Sequence, residues 1–204
     1  EGALPIGRLA KLSEAYGFPA LGLTDTNNMF GALEFSDKLA GSGIQPIVGV
    51  SLACLITEKA ARPGQLPGPP VRVHAWRDGL VAFLAMNEAG YANLMKLVSA
   101  AHLETADEDA PFVTADLIAR HADGLIALSG GPDGPIDRAL LEGQPSLAEE
   151  RLAVLKRAFG NRLYVEVQRH GTRAEQEVEP QLLDLAYRAG VPIVATNEVY
   201  FATA

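Results

Sequence analysis

The stretch Ala20-Leu-Gly-Leu-Thr24, followed by the polar residues 25–28, decides the interpretation of the chain. A short apolar run bounded by turn-forming residues predicts a buried strand. Apolar residues then recur at helical spacing from Phe30 to Leu39, and Gly41 ends the pattern. This second segment therefore predicts an amphipathic helix. A buried strand that passes directly into an amphipathic helix is the repeating unit of α/β proteins with parallel sheets.

The same alternation of strand and helix continues along the chain. Further strands are predicted at residues 47–56, 71–75, 80–85, 125–129, 163–167 and 191–196. Further helices are predicted at 6–16, from Asn87 to 98, from Thr114 to 121, and at 136–141, 146–159 and 175–189. The proline-rich stretch 60–70 and the acidic stretch 104–109 predict exposed loops. Two architectures remain open, a closed barrel and a doubly wound sheet, and in both of them chemistry gathers at the carboxyl ends of the strands.

The composition is that of one globular domain, or of two small ones. The chain has 204 residues, of which 48% are hydrophobic and 21% charged, and it contains no apolar run long enough to span a bilayer. Its single cysteine, Cys54, cannot form an intrachain disulfide, which favours a reducing, cytoplasmic location. The formal net charge of −8 argues against nucleic-acid binding by this domain, because such proteins usually present a basic face. Since the sequence starts at Glu1 rather than Met, we expect it to be a piece of a longer protein.

Polar residues follow several of the predicted strands and define the candidate site. The segments are Thr24-Asp-Thr-Asn27, Gly49-Val-Ser51, Ser129-Gly-Gly131, Glu166-Val-Gln-Arg-His170 and Asn197-Glu-Val-Tyr200. For single residues, structural roles are favoured over functional ones. We expect an N-cap at Asp25, hydrogen bonds or ion pairs at Glu166 and His170, a plain turn at Gly130-Gly131, and core packing of Cys54. The other histidines, His74, His102 and His121, are predicted to be exposed or partly exposed.

A resemblance to a known family is carried by segments that lie in the family's order and spacing along the whole chain. They are Pro19-Ala-Leu-Gly-Leu-Thr-Asp25, Gly43-Ile-Gln-Pro-Ile-Val-Gly49, residues 87–94, Leu128-Ser-Gly-Gly131, Tyr164-Val-Glu-Val-Gln-Arg-His-Gly171 and Pro192-Ile-Val-Ala-Thr-Asn-Glu-Val199. Residues 1–204 thus resemble the PHP domain (polymerase and histidinol phosphatase) at the N-terminus of the bacterial DNA polymerase III α subunit. The resemblance implies an α/β fold, a distorted (β/α)7 barrel. It also implies that the barrel's first strand, which carries a His-x-His pair, lies upstream of Glu1.

The resemblance further implies that a metal site has degenerated. Active PHP domains resemble a trinuclear phosphoesterase in which His, Asp and Glu side chains bind two or three divalent metals. At six ligand positions this chain carries Thr26, Ser51, Leu80, Gly131, Glu198 and Tyr200. Only Glu198 retains a carboxylate among these vestigial positions, although Asp25, Glu166 and His170 are expected nearby, at the ends of predicted strands. We therefore expect no catalytic residue, no bound metal and no cofactor in this chain.

The function implied by the resemblance is structural. Such a domain would pack on the remainder of a replicative polymerase α chain and would dock the proofreading exonuclease subunit, without contacting nucleic acid or a membrane. DNA-directed DNA synthesis, a nucleotidyl transfer that uses Mg2+, would belong to another part of the parent chain. Two alternatives remain open: an active metal-dependent phosphoesterase or proofreading PHP domain, and the PHP domain of an error-prone polymerase relative.

Overall fold

The computed structural model describes residues 4–57, 77–105 and 110–197. The predicted loop 60–70, the predicted strand 71–75, His74, most of the predicted loop 104–109, and the candidate residues Glu198 and Tyr200 lie outside the described residues. The described strands are β1 (Ala20–Leu23), β2 (Gln45–Leu55), β3 (Gly79–Ala85), β4 (Val113–Thr114), β5 (Leu125–Leu128), β6 (Leu163–Val167) and β7 (Ile193–Ala195). The described α-helices are α1 (Ile6–Ala15), α2 (Ala32–Gly41), α3 (Glu88–Leu103), α4 (Ala115–Arg120), α5 (Pro135–Leu141), α6 (Pro145–Phe159) and α7 (Arg173–Ala189).

The strands form one sheet in the order β1-β2-β3-β5-β6-β7, with the two-residue β4 paired to β2. β1 runs parallel to β2, and β5, β6 and β7 are parallel to one another. The predicted parallel arrangement is wrong for β3, which is antiparallel to both β2 and β5. Alternation of apolar strands and amphipathic helices shows that a strand exists but does not fix its direction, so this error could not be detected from periodicity.

The sheet is curled, and its concave face encloses a cavity of about 460 Å³ lined by residues of six strands or of the turns that follow them. Among the described strands, β1 and β7 are the two ends of the sheet and each has one hydrogen-bonded neighbour. The architecture is therefore a half-barrel of strands with helices packed outside it. This arrangement agrees with the predicted α/β fold and with a partial (β/α) barrel.

Two hydrophobic cores hold the helices on the sheet. The larger core lies between the sheet and helices α3 to α7 and includes Phe83 and Phe159, whose ring centroids are 5.7 Å apart. The smaller core packs Phe35 and Leu39 of α2 against α1 and β1. Cys54 is fully buried in the larger core, which confirms its predicted packing role. Burial raises the pKa of its thiol, so the reactive thiolate is strongly disfavoured.

Capping side chains explain where two helices start. The side chain of Asn87 accepts a hydrogen bond from the Gly90 amide at the start of α3. The side chain of Thr114 accepts one from the Leu117 amide at the start of α4. Both caps were predicted from the sequence. The predicted N-cap role of Asp25 is wrong. α2 begins seven residues after Asp25, at Ala32, and its N-cap is Gly31. The intervening residues form an ordered loop that is described below.

A buried ion pair ties α6 to the end of β2 and the start of β3. Arg151 Nη2 lies 2.6 Å from Asp78 Oδ1, and both side chains are almost completely buried. Asp78 Oδ2 also accepts hydrogen bonds from the amides of Ile56 and Thr57. Arg151 in turn donates to the carbonyl oxygen of Pro135 at the first residue of α5. Four elements therefore meet at one fully hydrogen-bonded pair.

No helix within the described ranges is long and apolar enough to cross a membrane.

Candidate functional site

The candidate site is the mouth of the half-barrel, which we define as the end of the cavity where the carboxyl ends of β1, β5, β6 and β7 lie beside the middle of β2. Ser51, Leu80 and Glu166 line the same cavity, so the structure brings these three predicted positions together. Leu80 is at the beginning of its strand rather than at its end. It still reaches the mouth because β3 runs antiparallel to its neighbours.

Glu166 is the only candidate carboxylate among the described residues that lines this cavity, and its oxygens already have hydrogen-bond partners. Its Oε2 accepts a hydrogen bond from the Gly130 amide at 3.0 Å. Its Oε1 accepts from Gln168 Nε2 at 3.2 Å and from the hydroxyl of Thr196. The side chain is buried and joins the ends of β5, β6 and β7. Glu166 therefore makes hydrogen bonds of the kind that the sequence analysis expected for it.

Two other described positions of the predicted ligand set, Thr26 and Ser51, take part in backbone pairing between strands. Thr26 and Ser51 form a parallel β-bridge just beyond the end of β1. The amide of Ser51 donates to the carbonyl oxygen of Asp25 at 3.1 Å. Neither Thr26 nor Asp25 lines the cavity, although Ser51 does. The hydroxyl-bearing residues at these positions therefore extend the sheet at the mouth.

The segment Ser129 to Gly134 closes the mouth beside β5 with a tight turn, as the sequence predicted. Gly131 to Asp133 form one turn of 3-10 helix. Gly130 adopts φ +92°, and a Cβ there would lie 1.8 Å from the carbonyl oxygen of Leu80. Only glycine fits between this turn and β3, so the local sequence is required by packing. Gly131 is buried and does not line the cavity.

His170 connects the start of α7 to the end of β7, outside the lining of the cavity. Its Nδ1 is 2.8 Å from Glu175 Oε1, and its Nε2 is 2.7 Å from Asn197 Oδ1. Desolvation favours the neutral form of Glu175. Hydrogen bonds from His170 and Thr172 outweigh desolvation and lower the pKa of Glu175 to about 2. The sequence predicted a hydrogen bond or an ion pair at His170, and the structure shows hydrogen-bond contacts with Glu175 and Asn197.

The other described histidines agree in part with the predicted exposure. His102 is exposed, with Nε2 at 2.8 Å from the carbonyl oxygen of Asn27. His121 is half-buried, and its Nδ1 lies 3.4 Å from Asn93 Oδ1. Burial, together with the nearby charges of Lys96 and Arg120, lowers the pKa of His121. Both rings take part in contacts between elements.

Sequence reasoning missed Asp137, the most perturbed carboxyl group near the mouth. It lies on α5, is buried, and its Oδ1 has no hydrogen-bond partner among the described residues. Desolvation, followed by the charge of Glu166, raises its pKa to about 8. Helical periodicity around Asp137 gives no hint of this environment, because the burial comes from β6 and α7, which lie far along the chain.

The described positions of the expected ligand set carry few of the donor atoms that multinuclear metal centres use. Such centres use several carboxylate or imidazole ligands on each ion. Here the described ligand positions present two hydroxyls, a leucine and a glycine, and the oxygens of Glu166 accept hydrogen bonds from the protein. No group of three or more His, Cys, Asp or Glu side chains within residues 4–57, 77–105 and 110–197 is arranged to bind a metal ion.

The fold and the mouth at the strand ends define the class of protein. A family model described as the PHP domain matches residues 1–170, and the chain belongs to this family. The similarity extends to curated bacterial replication proteins. The chain is 42% identical over 203 residues to the DNA polymerase III subunit alpha of Caulobacter vibrioides, which covers 99% of this chain and 17% of that protein.

Other relatives agree in name and in extent. The chain is 38% identical to the corresponding subunit of Treponema pallidum (99% of this chain, 17% of that protein) and 32% identical to that of Escherichia coli K12 (98% and 16%). The chain therefore spans about one sixth of the length of the curated relatives that it matches.

A solved structure supports the fold. The crystal structure of a proposed metal-dependent phosphoesterase from Bifidobacterium adolescentis matches with a TM-score of 0.56 at 13% identity, covering 96% of this chain and 82% of that one. At this identity the likeness concerns the arrangement of strands and helices.

Proposed function

We propose that this PHP domain is part of the α subunit of a bacterial replicative DNA polymerase III and that its role there is structural. The proposal rests first on the relatives, each of which is an α subunit that matches almost the whole of this chain. In the parent polypeptide, DNA-templated nucleotidyl transfer with Mg2+ is carried out by other regions. The cytoplasm is the compartment in which such a protein works.

The observation that carries the structural role is the state of Glu166. Three of the roughly four lone-pair positions of the Glu166 carboxylate accept hydrogen bonds from residues at the ends of β5, β6 and β7, which leaves little capacity for binding metal ions. In the same cavity, the hydroxyl of Ser51 is a weak metal ligand and the side chain of Leu80 has no ligand atom. The mouth is therefore suited to holding the half-barrel together, and we infer that the ancestral metal site has degenerated.

Metal content and phosphoesterase activity of the full-length polymerase subunit test this proposal. We expect less than stoichiometric zinc, manganese or iron after purification, and no metal-dependent hydrolysis of a phosphoester such as p-nitrophenyl phosphate. We also expect Glu166→Gln to lower the stability of the domain by about 1–3 kcal/mol, because the amide cannot accept all the hydrogen bonds of the carboxylate. Asp133→Asn, which changes an exposed carboxylate lining the same cavity, is the matched control and should change stability little.

A specific result would contradict the proposed structural role. Bound metal, together with hydrolysis that Glu166→Gln abolishes without unfolding the domain, would identify an active phosphoesterase and refute the structural role.

We further propose that the domain docks the proofreading exonuclease subunit of the polymerase. The strongly acidic composition, with a net charge of −8, suits a contact with a protein better than a contact with DNA. Removal of residues 1–204 from the full-length subunit should abolish binding of the exonuclease in a pull-down experiment. Retention of that binding at wild-type affinity would place the docking surface elsewhere.

A further inference from the structure

The loop between β1 and α2 is held in place by contacts with two other elements. The Asn27 amide donates to Ser51 O at 2.8 Å, and Asn27 Oδ1 accepts from the Ala53 amide at 3.2 Å. On the other side, His102 Nε2 of α3 lies 2.8 Å from Asn27 O. Asn28 Oδ1 then accepts from the amide of Phe30. The position of the Phe30 backbone is thus fixed by side-chain and backbone contacts with the rest of the fold.

This ordered loop presents large apolar side chains to solvent. Phe30 is 94% exposed and Leu33 is 75% exposed. A hydrophobic residue directly before an N-cap commonly packs on the fourth residue of the helix, which here is Phe35. Phe35 is instead fully buried in the smaller core, while Phe30 points away from it. Burial of such side chains is worth about 1.5–3 kcal/mol each, so a partner that covered Phe30 and Leu33 would be stabilised by that contact.

Acidic residues border the apolar pair. Glu34 and Asp37 are exposed on α2. Asp37 lies four residues after Leu33 and therefore on the same side of the helix, and Glu34 is in the first turn, directly after Leu33. We call Phe30, Leu33, Glu34 and Asp37 the α2 face. A partner that fits this face has an apolar pocket bordered by Lys or Arg side chains.

We propose that the α2 face docks on a basic-rimmed apolar pocket in the part of the polymerase polypeptide that lies outside these 204 residues. This inference rests on the proposed function, since it takes the chain to be part of an α subunit. The curated relatives are about six times as long as this chain, so most of such a polypeptide lies outside the present structure.

The size of the α2 face favours a covalently linked partner over a separate one. Phe30 and Leu33 together offer on the order of 300 Å² of apolar surface, whereas a stable complex of separate proteins buries about 800 Å² on each side. A linked partner is present at a high effective concentration and can be held by a smaller contact. A second copy of the chain would bring Glu34 and Asp37 against the same carboxylates in a two-fold contact, which is unfavourable.

Hydroxyl-radical footprinting of the full-length subunit tests the proposal. The oxidation rates of Phe30 and Leu33 should be several-fold lower than their exposure in this structure predicts. Charge reversal by E34K with D37K should raise those rates several-fold in the full-length chain, because it removes the attraction to the basic rim. The matched control is E150K with E177K, which reverses two exposed carboxylates on α6 and α7 and should leave the rates unchanged.

Each alternative occupant gives a different result. Protection of Phe30 that appears only after the exonuclease subunit is added, or only as the protein concentration rises, would overturn the proposal in favour of a separate subunit or a second copy. Free oxidation of both residues under all conditions would show that the α2 face has no partner. These outcomes do not depend on metal content or phosphoesterase activity, so failure of the proposed function would be recognised separately.

Discussion

Asp137 makes the stability of the folded protein depend on pH. Its pKa is raised from the ordinary value of 3.8 to about 8, first by burial and then by the charge of Glu166. The folded protein therefore retains this proton at a pH where the unfolded chain has lost it. The contribution to stability is fully present below pH 3.8 and is lost as the pH rises to about 8.

We expect Asp137→Asn to remove this pH dependence, because the amide is uncharged and has nearly the same shape. Chemical denaturation between about pH 4 and pH 8 should show the variant gaining about 1.4 kcal/mol per pH unit relative to the wild type. Asp123→Asn, at an exposed carboxylate, is the control and should follow the wild type. Parallel stability curves for Asp137→Asn and the wild type would contradict the assignment.

Gly130 allows a second comparison between single residues. A Cβ at Gly130 would meet the carbonyl oxygen of Leu80, whereas a Cβ at Gly143 would meet nothing within 4 Å, although both glycines have positive φ. Gly143→Ala should therefore cost about 1 kcal/mol for backbone strain alone. Gly130→Ala should cost about 3 kcal/mol or more, because the turn must also move away from β3. Equal unfolding midpoints for the two variants would show that the turn at Gly130 yields easily.

Arg151 is the buried charged side chain through which α6 contacts Asp78 and Pro135. Removing one partner of a buried ion pair leaves the other charge without compensation, so Arg151→Met should cost about 3–5 kcal/mol. The exposed Arg188 of α7, which contacts Glu149 and Asp184, is the matched control. Its replacement by Met should cost less than about 1 kcal/mol. Thermal or chemical unfolding measures both values, and similar losses in the two variants would refute a special role for Arg151.

The elements themselves could be predicted from the sequence, because helix and strand periodicity are local. Each predicted helix or strand within the described residues is present, and the caps at Asn87 and Thr114 are correct. The predicted cap at Asp25 failed because its loop takes its conformation from hydrogen bonds to β2. The direction of β3 failed for a related reason, since pairing with β2 and β5 is a long-range property.

Only those residues of the candidate site that lie near the ends of predicted strands could be identified from the sequence. Ser51 and Glu166 line one cavity, Glu166 close to the end of β6 as expected and Ser51 from the middle of β2. Asp137 was missed because its burial depends on packing by β6 and α7. Which hydrogen bonds Glu166 makes was likewise outside the reach of the sequence.

For the molecule as a whole, the ends of the sheet are the feature with the clearest consequence. Within the described residues, β1 and β7 each pair on one side, and unpaired strand edges are sites where chains associate. We expect the 204-residue chain in isolation to self-associate as its concentration rises, as measured by analytical ultracentrifugation. The full-length subunit should not do so. A monomer at all concentrations of the isolated chain would show that these edges are covered.

The single thiol of this chain, Cys54, can be used to measure how often the folded domain opens. Because Cys54 lies fully buried on β2 at the centre of the larger core, an alkylating reagent can reach it only in molecules whose sheet has opened. The rate of its modification therefore counts rare openings under native conditions, without a label or a denaturant. Comparing this rate between the isolated chain and the complete polypeptide would show how strongly the neighbouring regions restrain those openings, provided that modification of Cys54 itself is followed by mass spectrometry.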